Sequence, residues 1–390
     1  MTNKIAIASC HDKFNFGSML QAYATERAIA ELGFDVETID KRGIGKDIAK
    51  GRNAYYLENL FNAALYKAKI GFVGHRIRQK LNPAFGREMG QRYDSFRSFE
   101  NTHFHLTSRA SSFRELSELV SSFDAVVVGS DQLWLPVNIA GDYFTLSFVK
   151  PPVRKVSYAT SFGVSSLSEE YLEKTKRFLS DFDAISVRET TGEELVEQAT
   201  GRACTVVCDP TMLMTADQWG MVARQPEEVP ADSYIFCYFM GKNLWNRECA
   251  RALAKRTGCK IVAIAHPDEY VKYDDGYADF YPWSAGPAEW VWLISHASYV
   301  CTDSFHGSVF SNLFGVPFFS FRRHENMGAQ STNSRIDTLL DRLGDIDRIC
   351  ESREAFDCAV KREIDFTAVE KNISQYRVES TAWLADALKD

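Results

Sequence analysis

The sequence predicts an α/β fold of two lobes, each wound on a parallel sheet with helices on both faces. Three observations predict it. The chain opens with a strand–helix–strand pattern, a second cycle of the same kind starts near residue 233, and polar clusters follow the strands. A length of 390 residues also exceeds what one core usually fills, about 250–300 residues.

Residues 4–9, rich in Ile and Ala, read as a buried first strand. Residues 18–32 then place Leu20, Tyr23, Ala24, Ala28 and Leu32 at helical spacing, and Gly33 closes that helix. The run 34–39 returns as a strand. Further strands are expected at 123–128, 153–160, 184–187 and 205–207, with a helix at 169–181. Asp209-Pro210-Thr211 marks the edge of this lobe. In the second lobe, 234–239, 260–265, 299–302 and 317–321 read as strands, and 246–257, 290–297 and 308–314 as helices. The expected division is 1–215 and 216–390, with a final helix at 370–388 packing back across the boundary.

Residues 41–105 interrupt the winding and read as a helical insertion. Lys50, Arg52, Lys67, Lys69, Arg76, Arg78, Lys80, Arg87, Arg92 and Arg97 stand there among few acids. Tyr55, Tyr56, Leu60, Phe61 and Leu65 give the segment an apolar side. One reading rests it on a membrane surface or a lipid-linked acceptor. The other is a solvated helical excursion packed by its own aromatics.

The composition, 45% hydrophobic and 25% charged, supplies two cores without a metal or disulfide staple. A net charge of −7 with no concentrated basic tract argues against nucleic acid as partner. Any anionic ligand must then meet a few well-placed arginines. The nine cysteines form no CxxC pair; Cys204 and Cys208 lie four apart, and no metal site is expected. They read as free or buried thiols of a reducing compartment. The opening MTNKIAIASC is too short a run for a secretory signal and no stretch suits a bilayer span, so a cytoplasmic protein is expected, with peripheral contact at the inner face of the membrane as the insertion's one further option.

Open parallel sheets bind ligands beyond the carboxyl ends of their strands. Asn15-Phe16-Gly17-Ser18 lies between the first strand and helix, with Gln21 one turn on. Gly17 permits a tight turn there, and the helix amides offer donors to an anion. A plain structural turn is the alternative. Ser130, Asp131 and Gln132 follow the third strand and could orient sugar hydroxyls, with Trp134 offering its face to a ring; Asp131 as a turn cap is the alternative. Arg188, at the end of the strand 184–187, suits bidentate binding of carboxylate or phosphate, or else an ion pair with Glu189 or another acid. The richest cluster is Thr302-Asp303-Ser304-Phe305-His306-Gly307-Ser308, a strand-to-helix turn. The helix dipole there disfavours an imidazolium, so His306 as an acid calls for a nearby anion. Arg322, Arg323 and Arg335 supply cations in the same lobe.

The ordered segments NFGSMLQAYA, VVVGSDQLW, AISVRE, VVCDPT, YVCTDSFHGSVFSNLFGVPFFSF and NSRIDTLLDRLG span nearly the whole chain. Together they resemble the polysaccharide pyruvyl transferase family. That resemblance implies the GT-B-like architecture, two Rossmann-like lobes facing across a cleft. It implies phosphoenolpyruvate as donor, no further cofactor, and a glycan or lipid-linked oligosaccharide as acceptor. By position it makes His306 the general acid and Arg188 a donor-binding cation, with Ser304, Gly307 and Ser308 on the donor side. Ser304 stands where many members carry arginine, and Arg335 where many carry lysine; Arg322 or Arg323 is placed to compensate. Two rival readings share the scaffold: a nucleotide-sugar glycosyltransferase of the same architecture, and a glycan-binding protein without catalysis.

Overall fold

The structure, a computed structural model, describes residues 3–60, 62–266, 269–323 and 334–389, with the side chains of 63–70 and 72 outside that description. Phe61, Leu65, Lys67 and Lys69 of the expected basic-aromatic segment therefore lie outside the described side chains.

The first sheet contains β1 (Lys4–Ala8), β2 (Asp35–Thr38), β3 (Ala125–Asp131), β4 (Arg154–Thr160), β5 (Ala184–Val187) and β6 (Thr205–Val206). Its order is β2-β1-β3-β4-β5-β6, and every pairing is parallel. The second contains β7 (Tyr234–Tyr238), β8 (Lys260–Ala263), β9 (Tyr299–Thr302), β10 (Phe318–Phe321) and β11 (Ile349–Cys350), ordered β11-β10-β9-β7-β8, also parallel. Strands such as Ala-Val-Val-Val in β3 are apolar throughout because helices cover both faces. Winding reverses between β1 and β3 in one sheet and between β7 and β9 in the other. Each reversal opens a crevice at the strand ends, and both crevices carry the clusters expected from the sequence.

Helix α1 (Phe16–Glu31) starts at Asn15, whose side chain accepts from the Ser18 amide. It is buried almost all round from Phe16 to Glu26, because it lies between the lobes. The insertion forms α2 (Gly45–Glu58), α3 (Ala63–Leu81) and α4 (Pro83–His103). Arg52 reaches Asn138 (2.8 Å) and the Tyr55 ring packs on Tyr171, so α2 lies against the first lobe. Ser95 donates to the Ser284 carbonyl (2.6 Å) and Arg92 to that of Ala265 (3.0 Å), so α4 ties the insertion to the second lobe.

One core runs through both lobes. Phe16 stacks on Trp290 at 5.9 Å and meets Phe96 at 4.8 Å, while Trp219 and Trp290 both pack on Phe310. The final helix, Phe366–Leu388, begins four residues before its expected start. Its Trp383 ring packs on Tyr158 of β4, its Ala387 carbonyl accepts from Arg154 (3.0 Å), and its Ser380 hydroxyl accepts from the Cys208 amide (2.9 Å). Among the described residues no helix is long and apolar enough to cross a membrane.

Candidate active site

At the first crevice β3 ends on Asp131, whose φ of 81° is unusual for a residue with a side chain. That turn aims the carboxylate at α1 and β5: Ser18 Oγ donates to Oδ2 (2.6 Å) and Arg188 Nη2 to Oδ1 (3.1 Å). Gln21 holds the frame. It accepts from the Ser130 amide (2.8 Å) and donates to the Ser18 carbonyl (2.7 Å). Ser130 Oγ in turn reaches the Ala159 carbonyl and Asp209 Oδ2. Gln21, Ser130 and the capping Asn15 thus position the site from below.

Arg188, fully buried, follows β5. Its Nη1 donates to Asp209 Oδ2 (2.9 Å), its Nε lies 3.7 Å from Glu189, and its guanidinium sits over the Phe305 ring. The ion-pair alternative for Arg188 is therefore what the fold builds. Asp209, just beyond β6, is fixed by the Thr211 amide (3.1 Å) and hydroxyl (2.8 Å). Burial alone would raise both carboxyl groups. Arg188, Lys13 and His306 outweigh it at Asp131, and His306 and Arg188 do so at Asp209, so both stand well below the usual carboxylate range. Glu189 goes the other way, pushed up by burial against the pull of Arg188 and Arg335.

His306 comes from the second lobe. The helix there spans Phe305–Leu313, three residues earlier than expected, so His306 lies inside its first turn and Ser304 caps it through the Gly307 amide (3.4 Å). Thr302 Oγ1 accepts from the Ser304 amide, and a Cβ at Gly307 would meet the Thr302 Cγ2 at 2.9 Å, so this turn needs glycine. Asp303 clamps the turn to the second crevice by accepting from the amides of Met240 (2.6 Å) and Gly241 (2.8 Å). Ser308 bonds Ser320 inside the lobe (3.2 Å) and stays structural. The His306 ring rests on Gly17, where a Cβ would fall 2.5 Å from its Cγ and closer still to Nδ1. Its Nε2 makes no hydrogen bond among the described residues and lies 3.7 Å from Asp209 Oδ2. The anion that an acid role requires is thus built into the first lobe.

The remaining arginines differ sharply. Arg335 is buried against the Phe305 ring, its Nε has no partner among the described residues, and burial together with Arg188 pushes its guanidinium down to about 9. Arg323 donates to the Asp303 carbonyl (3.3 Å), and its Nε has no partner among the described residues. Arg322 turns away, paired with Asp337 and Glu351 at 2.6 Å each, which removes it from the donor side. Trp134 also departs from expectation: it is fully buried among Phe162, Phe178 and Phe182 with Nε1 donating to the Phe144 carbonyl, so it presents no face to a sugar. Gln132 is half-buried against Gly163, whose lack of a Cβ makes room for its amide. Sequence reasoning missed Asp209 as a site residue and the charge of Lys13 acting on Asp131; Asp209 stood in plain view within VVCDPT. Among the described residues no group of three or more His, Cys, Asp or Glu side chains is placed to hold a metal ion.

Solved structures of similar overall form include the UDP-GlcNAc 2-epimerase of Methanocaldococcus jannaschii, 12% identical over 93% of this chain and 92% of that one, with a TM-score of 0.45. MurG of Acinetobacter baumannii is 9% identical over 99% of both chains, with a TM-score of 0.44. The glycosyltransferase SnogD of Streptomyces nogalater is 13% identical over 99% and 98%, with a TM-score of 0.46. No curated protein sequence matches the chain. The family described as polysaccharide pyruvyl transferase matches residues 15–325, and the chain, with its two Rossmann-like lobes, belongs to that family.

Proposed function

We propose that this transferase moves a pyruvyl group from phosphoenolpyruvate onto two hydroxyls of a sugar, in a surface polysaccharide or its lipid-linked precursor, closing a cyclic ketal. The observation that carries it is a histidine from one lobe facing a carboxylate–arginine cluster of the other, beside a buried arginine whose Nε has no partner among the described residues. Arg335 and Arg323 bind the donor's carboxylate and phosphate, since Arg188 is held by acids. His306 gives a proton to the methylene carbon, and the carbon bearing the phosphate ester becomes oxocarbenium-like. The first sugar hydroxyl attacks that carbon and its proton restores His306. The carbon–oxygen bond to phosphate then breaks, the second hydroxyl closes the ring, and its proton leaves with phosphate. Asp209 offsets the imidazolium, and Asp131 and Ser18 hold Arg188 and α1 in place.

The test is incubation of the purified chain with phosphoenolpyruvate and a panel of sugar acceptors, reading phosphate release and a carboxyethylidene mass gain. Acceptor-dependent release that disappears in His306→Ala supports the reading. Release that persists in that variant refutes His306 as the acid.

The insertion supports peripheral contact with an anionic membrane surface in the same reading. Residues 41–105 carry thirteen Lys and Arg against five Asp and Glu in a chain of net charge −7. On α3, Val73, Ile77 and Leu81 recur every fourth residue at 50%, 51% and 78% exposure, with Lys80 exposed beside them. Co-sedimentation with phosphatidylglycerol vesicles, but not with phosphatidylcholine vesicles, is expected for the wild type and should fall in Leu81→Asp. Equal sedimentation with both lipids would count against it.

A further inference from the structure

A cavity lies beside the crevice of the second sheet. The turn Gly241–Lys242 follows β7, Glu269 and Tyr270 stand in the loop after β8, and α3 of the insertion covers both. Between them is a space of about 640 Å³, lined by Gly74, His75 and Arg78 on α3 and by Lys242, Glu269 and Tyr270 on the lobe.

The walls of this space carry donors that the described protein does not use. His75 lines it at 2% exposure, and neither ring nitrogen has a partner among the described residues. Behind it Arg92, 1% exposed, has no partner for Nε or Nη2 among the described residues. Burial, then the charges of His266, Arg92, Arg76 and Arg78, push His75 down to about 4, so the ring is neutral near pH 7 and offers one N–H. Arg78 lies over the Tyr270 ring at 3.7 Å, with Asp275 at 4.0 Å, and Lys242 pairs with Glu269. Buried donors without partners are unfavourable unless a ligand supplies the acceptors.

The glycines of α3 keep the space open. A Cβ at Gly71 would fall 2.7 Å from Glu269 Cδ, so glycine lets the helix approach the lobe. At Gly74 a Cβ would meet nothing within 4 Å. The cavity wall is one residue away from the turn that carries the acid. Lys242 lines it, while the amide of the preceding Gly241 holds Asp303, three residues before His306.

We propose that this cavity is the acceptor subsite and that it binds a phosphate or diphosphate group carried by the acceptor sugar. Arg78 and His75 donate to the phosphate oxygens, Arg92 supplies further positive charge behind them, and the sugar extends past Gly241–Lys242 toward His306. Calling it the acceptor subsite rests on the transfer reading above; that it binds phosphate does not. The phosphate chemistry is shared by a nucleotide-diphosphate sugar and a polyprenyl-diphosphate sugar.

The test is calorimetric titration of the full chain with inorganic pyrophosphate, with and without saturating phosphoenolpyruvate. Pyrophosphate affinity should fall about tenfold or more in Arg78→Gln, as expected for a lost charge-assisted bond. It should fall likewise in Gly74→Leu, which keeps every charge and fills the space, with the thermal midpoint reporting intact folding. Arg335→Ala should leave it unchanged. Pyrophosphate affinity indifferent to both cavity variants, or lost in Arg335→Ala, overturns the site. Phosphoenolpyruvate binding, read separately in Arg78→Gln, should persist; its absence from the wild type would refute the transfer reading while the pyrophosphate arms still decide the cavity. UDP-N-acetylglucosamine and a short-chain polyprenyl-diphosphate N-acetylglucosamine are then compared. Whichever binds more tightly than pyrophosphate, and loses that affinity in Gly74→Leu, identifies the source. If neither does, the acceptor assignment fails.

Discussion

Gly17 and His306 belong to different lobes, yet the ring leaves no space for even a methyl group between them. Gly17→Ala should push the imidazole off Asp209 and lower kcat about 10²-fold, the usual effect of misplacement by about 1 Å. Steady-state kinetics should show the loss in kcat, with KM for phosphoenolpyruvate nearly unchanged because Arg335 is untouched. At Asp209, replacement by Asn leaves Arg188 with less compensation in a fully buried setting, and should cost about 3 kcal/mol in denaturant unfolding. The pH dependence follows from the same acids. Asp131 and Asp209 titrate below their unfolded value of about 3.9, so their contribution is complete above that pH and is lost as pH falls toward the folded values. Glu189, displaced upward, contributes in the opposite sense, and its share fades as pH rises. Thermal midpoints should therefore drop steeply below about pH 4, and less steeply in Asp131→Asn. At this scale the place of His306 at a strand-to-helix turn was legible from the strand before it and the glycine beside it. The saturation of Arg188 was not, since its partners lie 57 and 21 residues away in the chain.

Elements were read well wherever burial on both faces left an unbroken apolar run, as in β1, β3, β5 and β9. β11 escaped because two residues hold no period. The start of the helix at Phe305 escaped because a capping serine reads like any loop serine until its partner amide is known. Trp134 misled for a related reason: a tryptophan after a strand end looks available until the phenylalanines 28 to 48 residues onward close over it. The final helix has a consequence for the site. Ser380 accepts from the amide of Cys208, the neighbour of Asp209, so Ser380→Ala should strand a buried N–H and cost about 1–3 kcal/mol. Phosphate release should also slow as Asp209 loosens, while Ser380→Thr, which keeps the hydroxyl, should retain more activity; a loss of stability with unaltered turnover would separate the helix from the site.

At the scale of the molecule, the two sheets share one aromatic core running from Phe16 and Phe96 through Tyr238 and Trp290 to Phe310 and Trp219. Lobes joined this way should unfold together. Trp290→Ala, at a fully buried position, should cost about 3–5 kcal/mol and still give a single calorimetric transition. The two-lobed plan was legible from the repeated winding, but the join was not, because apolar residues in a sequence do not say which sheet they face. That join brings His306 to Asp209 and buries Arg335 with its Nε unpartnered among the described residues. The most direct test of this arrangement is the thermal stability of the wild type and Arg335→Ala with and without phosphoenolpyruvate. At about 100 times its dissociation constant the donor should stabilise the wild type by roughly 2.7 kcal/mol. Arg335→Ala should remain folded when unliganded and should gain little from the donor. No stabilisation of the wild type by phosphoenolpyruvate, or an equal gain in Arg335→Ala, would contradict the account.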